Sequence, residues 1–207
     1  MLSGQVAAAN LLGLYIGGAV GQAQVEADNL PNPEPAPLTA HSIERFSENH
    51  LAYEAIVGVR PISLVGTEIT YVDFGHASEA LGTIPVGPAV SAGFPLSGSV
   101  RMKGPAAFAV LYLPVPVIDF YFKAGLARLQ TTAITTLTVP APYATCVTGG
   151  GARCQFSRES DVNNTGIAAA AGAQFKVASL AVRAEYARFS AAGANPGLFS
   201  LGLVWNF

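Results

Sequence analysis

Charge is scarce in this sequence, although apolar residues are abundant. Of the 207 residues, 51% are hydrophobic but only 12% are charged, about half of the share that is usual in soluble domains. Lys and Arg nowhere form a cluster and the formal net charge is -2, so the basic surface that nucleic-acid binding needs is missing. The composition therefore argues against a nucleic-acid partner, and it calls for either a large core or a lipid-facing surface.

Long apolar runs are missing too. A membrane-spanning helix needs about 20 mostly apolar residues, and the best candidate, residues 6–25, contains Asn10, Gln22, Gln24 and four glycines. Because this segment alternates, it favours a strand over a helix. Residues 1–10 have neither a basic start nor a long apolar stretch. We therefore expect residues 1–10 to be an N-terminal tail or signal-peptide remnant, and residues 11–207 to be one domain.

Cysteine and histidine are also sparse. The only two cysteines, Cys146 and Cys154, flank a flexible glycine-rich stretch. A local disulfide between them suits an exported protein, whereas two free thiols or half of a metal site are the alternatives. Since the three histidines are scattered and no C-x-x-C spacing occurs, we expect no metal site and no cofactor.

What the sequence does contain is a repeated alternation of apolar and polar side chains. Eight such segments are each about as long as a tilted strand that crosses a bilayer. The predicted strands lie near residues 14–25, 51–60, 64–75, 100–113, 118–130, 165–176, 180–189 and 197–207.

The connections between these segments alternate in length. Three are tight turns, at residues 61–63, 114–117 and 177–179. Four are longer and rich in turn-forming residues, at 26–50, 76–99, 131–164 and 190–196. This arrangement is typical of an all-β, membrane-spanning, up-and-down antiparallel barrel with short periplasmic turns and four longer extracellular loops. Loops of this length are uncommon in compact soluble domains, so a soluble sandwich or lipocalin-like carrier is the weaker interpretation.

The alternation also assigns an outward, lipid-facing side to every strand. The outward positions are almost all apolar: Leu14, Ile16, Val20, Ala55, Val57, Val59, Ile69, Tyr71, Phe120, Phe122, Leu126, Ile167, Phe175, Leu180, Val182, Tyr186 and the alternate residues from Phe199 to Phe207. Aromatic residues should then form two interfacial girdles. We place one girdle near the end of the barrel that carries the short turns, with Tyr112, Phe120, Phe122, Phe175, Trp205 and Phe207. The other lies near the end that carries the long loops, with Tyr53, Tyr71, Tyr186, Phe189 and Phe199.

Most of the charge on the strands falls on the opposite, inward side. These residues are Glu54, Arg60, Glu68, Lys123, Lys176, Arg183 and Glu185. Side chains fill the interior of an eight-stranded barrel, and a lone buried charge costs several kcal/mol. We therefore predict a packed, ion-paired polar core centred on Glu68, Lys123, Arg183 and Glu185. A gate or a small ion path is the alternative.

At this point several segments resemble the small outer-membrane barrels of the OmpA type. Residues 14–21 look like the first strand, 58–61 and 65–71 like the second and third with Glu68 as a buried glutamate, 121–125 like the fifth and 182–186 like the seventh. The end of the chain fits the family's assembly signal through Ser200, Gly202, Trp205 and Phe207. The resemblance implies that the barrel-assembly machinery recognises this end.

These observations predict a non-enzymatic outer-membrane protein with a structural, envelope-integrity or adhesion and binding role through its extracellular loops. The expected partners are outer-membrane lipid and lipopolysaccharide, the barrel-assembly machinery and an unidentified extracellular ligand. One alternative is a narrow ion-conducting barrel gated by the interior charges. Another is a membrane-embedded lipid-modifying enzyme, because His76 and Ser78, with Glu79 beside them, supply the residue types of an activated nucleophile.

Overall fold

The computed structural model of the protein describes residues 13–27, 46–85, 93–140, 153–190 and 195–207. Their strands form one closed antiparallel barrel in which each strand pairs with the next, and β1 pairs with β8. The strands are β1 (Leu14–Ala27), β2 (Phe46–Val59), β3 (Val65–Pro85), β4 (Gly93–Pro114), β5 (Ile118–Pro140), β6 (Arg153–Val177), β7 (Leu180–Ser190) and β8 (Gly197–Asn206). In these ranges no helix has the length and apolar character to cross a membrane.

The predicted fold class is confirmed, since all eight strands form in the predicted order. The strands β1, β5, β7 and β8 begin at the predicted residues. Three connections are short and join strands at one end of the barrel, which we call the turn rim. The remaining connections lie at the opposite end, the loop rim. The helical alternative for residues 6–25 is wrong for its described part, which is strand β1.

Two of the predicted loops, 76–99 and 131–164, are largely strand instead. Residues 76–85 pair with 93–101, and residues 132–140 pair with 153–161. Strands β4 and β5 also remain paired from Leu96 to Lys103. Together these four ranges form a sheet beyond the loop rim, which we call the projecting sheet. Its two edges are free among the described strands, because pairing of β2 with β3 ends at Asp73 and pairing of β6 with β7 ends at Ile167.

The physical reason for this error is the treatment of proline and polar residues as loop signals. Pro85 is the last residue of β3, and Pro95 lies just beyond Leu96, where the pairing of β4 with β5 ends. Because Pro95 lies outside that pairing, its missing N–H removes no hydrogen bond between β4 and β5. Pro85 stands at the end of its strand, where proline is tolerated. The threonines of β5 favour strand geometry. A hairpin outside the bilayer can therefore be polar on both faces and still keep its backbone hydrogen bonds.

The outward face of the barrel forms a belt of large apolar side chains. Apart from Val59, which is partly buried, the large residues predicted to face lipid are half exposed, from 36% for Leu180 to 67% for Ile167. Two aromatic assignments were wrong, because Tyr112 and Phe189 are each only 1% exposed and point into the barrel. Their neighbours on the strand explain this. Tyr112 lies between the outward-facing Leu111 and Leu113, so alternation directs it inward.

The barrel interior has two halves of different character. Its turn half holds the buried charges, whereas its loop half is filled by apolar side chains. We call this second set the apolar plug: Phe74, Met102, Leu129, Phe189 and Leu198, all at most 3% exposed. The rings of Phe74 and Phe189 meet edge to face with their centroids 5.2 Å apart. The predicted polar core is therefore correct for the turn half only.

Candidate functional site

Glu68 is the centre of a buried network in the turn half of the lumen. Its Oε2 atom accepts hydrogen bonds from Arg183 Nη1 at 2.7 Å and from the Tyr15 hydroxyl at 2.8 Å. Its Oε1 atom accepts from Lys123 Nζ and, at 3.2 Å, from the Thr70 hydroxyl. Strands β1, β3, β5 and β7 thus converge on one carboxylate.

Lys123 connects Glu68 to a second carboxylate. Its Nζ atom lies 2.6 Å from Glu185 Oε2, and the Tyr121 hydroxyl donates to the same oxygen at 2.7 Å. The side chains of Lys123 and Glu185 are 1% and 4% exposed. Because both are removed from water, each needs the other as a partner.

Glu54 and Ser200 form a separate buried pair that connects strands β2 and β8. The Ser200 hydroxyl donates to Glu54 Oε2 at 2.8 Å, and both residues are buried. Ser200 was predicted as the polar element of the assembly signal. In the folded barrel it also satisfies an interior carboxylate.

A second cluster lies at the turn rim around Asp119, whose side chain is fully buried. Asp119 Oδ2 is 2.5 Å from Arg60 Nη1, 2.6 Å from Lys176 Nζ and 3.1 Å from Gln174 Nε2. Gln174 Oε1 in turn accepts from Arg183 Nη2 at 3.3 Å. The Arg60 interaction is therefore at the turn rim, and Gln174 connects it to the Glu68 network.

The predicted charge set was incomplete without Asp119. The interior now holds four carboxylates, Glu54, Glu68, Asp119 and Glu185, and four cations, Arg60, Lys123, Lys176 and Arg183. Parity is a signal that could have found Asp119, because it shares the inward side of β5 with Tyr121 and Lys123. The buried tyrosines were missed since aromatic residues were assigned to the lipid interface.

Together with the Glu54–Ser200 pair, the polar contacts of the lumen involve all eight strands, and we call this set the lumen network. Strand β4 joins it through Tyr112, whose hydroxyl lies 3.1 Å from that of Tyr15 and whose ring packs 3.9 Å from the Arg60 guanidinium. Strand β6 joins it through Gln174. Chemically, the arrangement is a set of buried ion pairs that connect strands across a closed sheet, although Asp119 Oδ1 and Arg183 Nε have no hydrogen-bond partner among the described residues. Among the described residues, no group of three potential metal ligands lies together.

Comparison with known proteins identifies the architecture. No protein-family model matches the chain, and no curated protein matches it. The attachment invasion locus protein Ail of Yersinia pestis, solved in complex with the heparin analogue sucrose octasulfate, is 12% identical with a TM-score of 0.56, covering 94% of this chain and 99% of that one. Neisserial surface protein A is 13% identical with a TM-score of 0.55, covering 94% of this chain and 97% of that one.

The chain has the fold of the small outer-membrane barrels. The resemblance predicted from the sequence is thus confirmed at the level of the fold. Identities this low show the fold alone, so the kinship to the OmpA type in particular stays a prediction.

The predicted assembly signal lies on β8 and at its end. Trp205 and Phe207 are 51% and 53% exposed on the outward face at the turn rim, whereas Gly202 is on the inward side. This placement leaves both aromatic side chains accessible. Recognition by the assembly machinery stays a prediction.

The predicted disulfide lies outside the described residues. Cys146 falls in the connection between β5 and β6, and only the backbone of Cys154, near the start of β6, is described. The disulfide therefore remains a prediction from the sequence.

The residues of the enzyme alternative lie in the projecting sheet. His76 and Ser78 are exposed on the same side of β3, opposite Arg101 and Ser99 of β4. The described contacts include no hydrogen bond between the side chains of His76 and Ser78, and the side chain of Glu79 lies outside the described part of the structure. An activated nucleophile needs its base within hydrogen-bond reach, so this geometry does not support the enzyme hypothesis.

Proposed function

We propose that the protein is a non-enzymatic, integral outer-membrane barrel that contributes to envelope structure and presents a binding surface outside the cell. The belt of half-exposed apolar side chains around the closed barrel is the observation that supports this most. Soluble monomers rarely expose a contiguous apolar patch of more than a few hundred Å². A bilayer covers such a belt, and closure of the sheet leaves no unpaired edge within it.

The presented surface is the projecting sheet together with the connections at the loop rim. In outer-membrane barrels the short turns face the periplasm and the long connections face outward. This orientation puts the polar side chains of the sheet, such as Ser97, Thr136 and Ser157, in the extracellular medium. Its edge strands pair on one side only among the described strands, and such an edge can bind an extended partner chain by strand addition.

The filled lumen argues against the ion-conducting alternative. The apolar plug closes the loop half, and the ion pairs around Glu68 fill the turn half. An ion would have to displace tightly packed side chains at both levels. We therefore assign the interior charges a structural role.

Cysteine labelling in a Gram-negative host tests this proposal. In a Cys146→Ser, Cys154→Ser background, Ser157→Cys places a thiol on the projecting sheet and Val117→Cys places one at the turn rim. Both positions are exposed. A membrane-impermeant maleimide should label position 157 on intact cells, and position 117 only after the outer membrane is permeabilised.

Two further readouts accompany the labelling. The protein should fractionate with the outer membrane and change its gel mobility on boiling, because a closed barrel migrates differently once unfolded. Solubility in buffer without detergent, or labelling of position 117 on intact cells, contradicts the proposal.

A further inference from the structure

Basic side chains lie just above the apolar belt on two neighbouring strands, where Arg101 and Arg128 are exposed and Lys103 is partly buried. On β4 the outward apolar series ends at Pro105, and Lys103 and Arg101 follow it. On β5 it ends at Leu126, and Arg128 follows. All three basic residues are on the loop side of the belt and point outward, as the exposed residues of the same parity do.

Strand pairing brings these side chains together. Lys103 is opposite Gln130, and Arg101 is opposite Thr132. Arg128 precedes Gln130 by two residues on the same face, so it is a diagonal neighbour of Lys103. Opposite side chains have Cβ atoms about 5 Å apart and diagonal ones about 7–8 Å apart. We call Arg101, Lys103 and Arg128, with Gln130 beside them, the basic patch.

Two acids lie at the edges of this patch. Asp73 of β3 is 2.9 Å from Arg101, whose side chain is still 52% exposed, and Asp73 is also opposite Lys103. On the other side, Asp161 of β6 accepts a hydrogen bond from Thr132, which is opposite Arg101. Two carboxylates beside three cations leave the patch positive by one charge. The turn rim differs, because there Arg60 and Lys176 are both bound to the buried Asp119.

The position of the patch favours an anionic ligand at the membrane surface. In the orientation proposed above, the loop-side boundary of the belt is the headgroup level of the outer leaflet. Basic side chains at a membrane surface attract anionic headgroups, and guanidinium groups bind phosphate in a bidentate manner. Long basic side chains can also keep their stems on the belt while the charged ends reach the headgroups.

We infer that the basic patch binds the phosphate groups of lipopolysaccharide in the outer leaflet. The inference rests on the proposed function for its orientation. It gives the lipopolysaccharide partner that the sequence led us to expect a defined contact on β4 and β5.

Titration of the folded barrel with fluorescent lipopolysaccharide in neutral detergent micelles tests this inference, with anisotropy as the readout. Lys103→Gln and Arg128→Gln should each weaken binding about fivefold, and the double variant roughly 25-fold, because each basic group contributes about 1 kcal/mol at such a surface. Dephosphorylated lipopolysaccharide should bind weakly to wild type and variants alike.

Two further variants distinguish binding by the basic patch from a general effect of positive charge on the barrel surface. Arg188→Gln removes an exposed arginine above Tyr186 on β7, where the opposite residues are Ala169 and Gly197, and it should change affinity less than twofold. Asp73→Asn removes the acid beside Arg101 and should strengthen binding. A gain of affinity cannot result from misfolding.

Several results overturn the inference. They are unchanged lipopolysaccharide affinity in the Lys103 and Arg128 variants, equal weakening by Arg188→Gln, or patch-dependent binding of a soluble sulfated polysaccharide in place of lipopolysaccharide. Heat-modifiable mobility is checked before each titration. A wild-type chain that lacks this mobility instead contradicts the proposed barrel, so the two failures are distinguishable.

Discussion

Glu68 has more buried polar partners than any other carboxylate described here. Arg183, Lys123, Tyr15 and Thr70 all donate to it. Buried ion pairs of this kind often add little net stability relative to an apolar core, but removal of one partner is costly because it leaves an uncompensated charge. We therefore expect the lumen network mainly to set the register between strands. Single substitutions in it should strongly lower the free energy of unfolding.

Glu68→Gln should lower the free energy of unfolding by about 3–5 kcal/mol, because Lys123 and Arg183 then lose the charge that neutralises them. Urea titration of the barrel in lipid vesicles measures this. Glu159→Gln is the matched control on the exposed projecting sheet, where the change should stay within about 0.5 kcal/mol. Equal losses in the two variants contradict a structural role for Glu68.

Gly58→Ala should destabilise the barrel by about 1–3 kcal/mol through overpacking. A Cβ atom at Gly58 would be 2.2 Å from Cζ of Tyr15, so the ring must move away from Glu68 and Tyr112. The temperature at which the gel-mobility shift is lost reports the change. In the control Gly18→Ala, the nearest atom is 3.5 Å from the new Cβ, so a comparable drop there excludes the steric explanation.

At the scale of the strand, each element has two surfaces that meet different environments. On β5 the outward residues of the belt are apolar while the inward residues include Asp119, Tyr121 and Lys123. Beyond the belt the same strand becomes polar on its outward face. Its outward character therefore changes where the predicted hydrocarbon layer ends.

Leu126→Arg should reduce folding into bilayers, at a cost of about 2–4 kcal/mol for a charge on the lipid face. Leu126 is 61% exposed and is opposite Ile167. Thr132→Arg is the control, since Thr132 lies on the same face of β5 above the belt. Folded fractions in lipid vesicles are compared by gel shift. If both variants fold equally well, the belt does not face lipid.

Shortening of the longest hairpin should leave the barrel folded. Ala133 and Ser160 are opposite each other, so a two-residue Asn-Gly turn can replace residues 134–159 without a change of register. Those removed residues that the structure describes pair only within the projecting sheet. The mobility shift should persist at a similar temperature. Its loss means that the sheet is required for barrel stability.

At the scale of the whole molecule, the filled lumen predicts an electrically silent barrel. Wild type and Lys123→Gln should both show no channel openings in planar bilayers, because the apolar plug remains in place above the substituted residue. Channel events in wild type whose conductance changes in Lys123→Gln contradict this and support the gate hypothesis. Insertion is verified by the gel shift of protein recovered from the same vesicle preparation.

Much of the candidate site could be predicted from strand parity. The pattern identified Glu68, Lys123, Arg183 and Glu185 as inward residues, and the structure brings their side chains into one network. It did not reveal that Arg60 pairs with Asp119, because parity states which side of the sheet a residue faces but not its level along the barrel axis. It also did not reveal the apolar plug, since the inward side was recognised by its charged residues and apolar inward residues carry no such signal.

By itself, the sequence determined the strand number, the strand order, the belt and the sign of the lumen charges. These follow from local periodicity, because a strand of alternating character has only one way to meet lipid on one side and a packed interior on the other. Only the tertiary structure decided where the strands end beyond the loop rim, which charges pair across the lumen, and how β4 and β5 bring Arg101, Lys103 and Arg128 together. Those features depend on the register between strands, and register is set by the closed sheet as a whole.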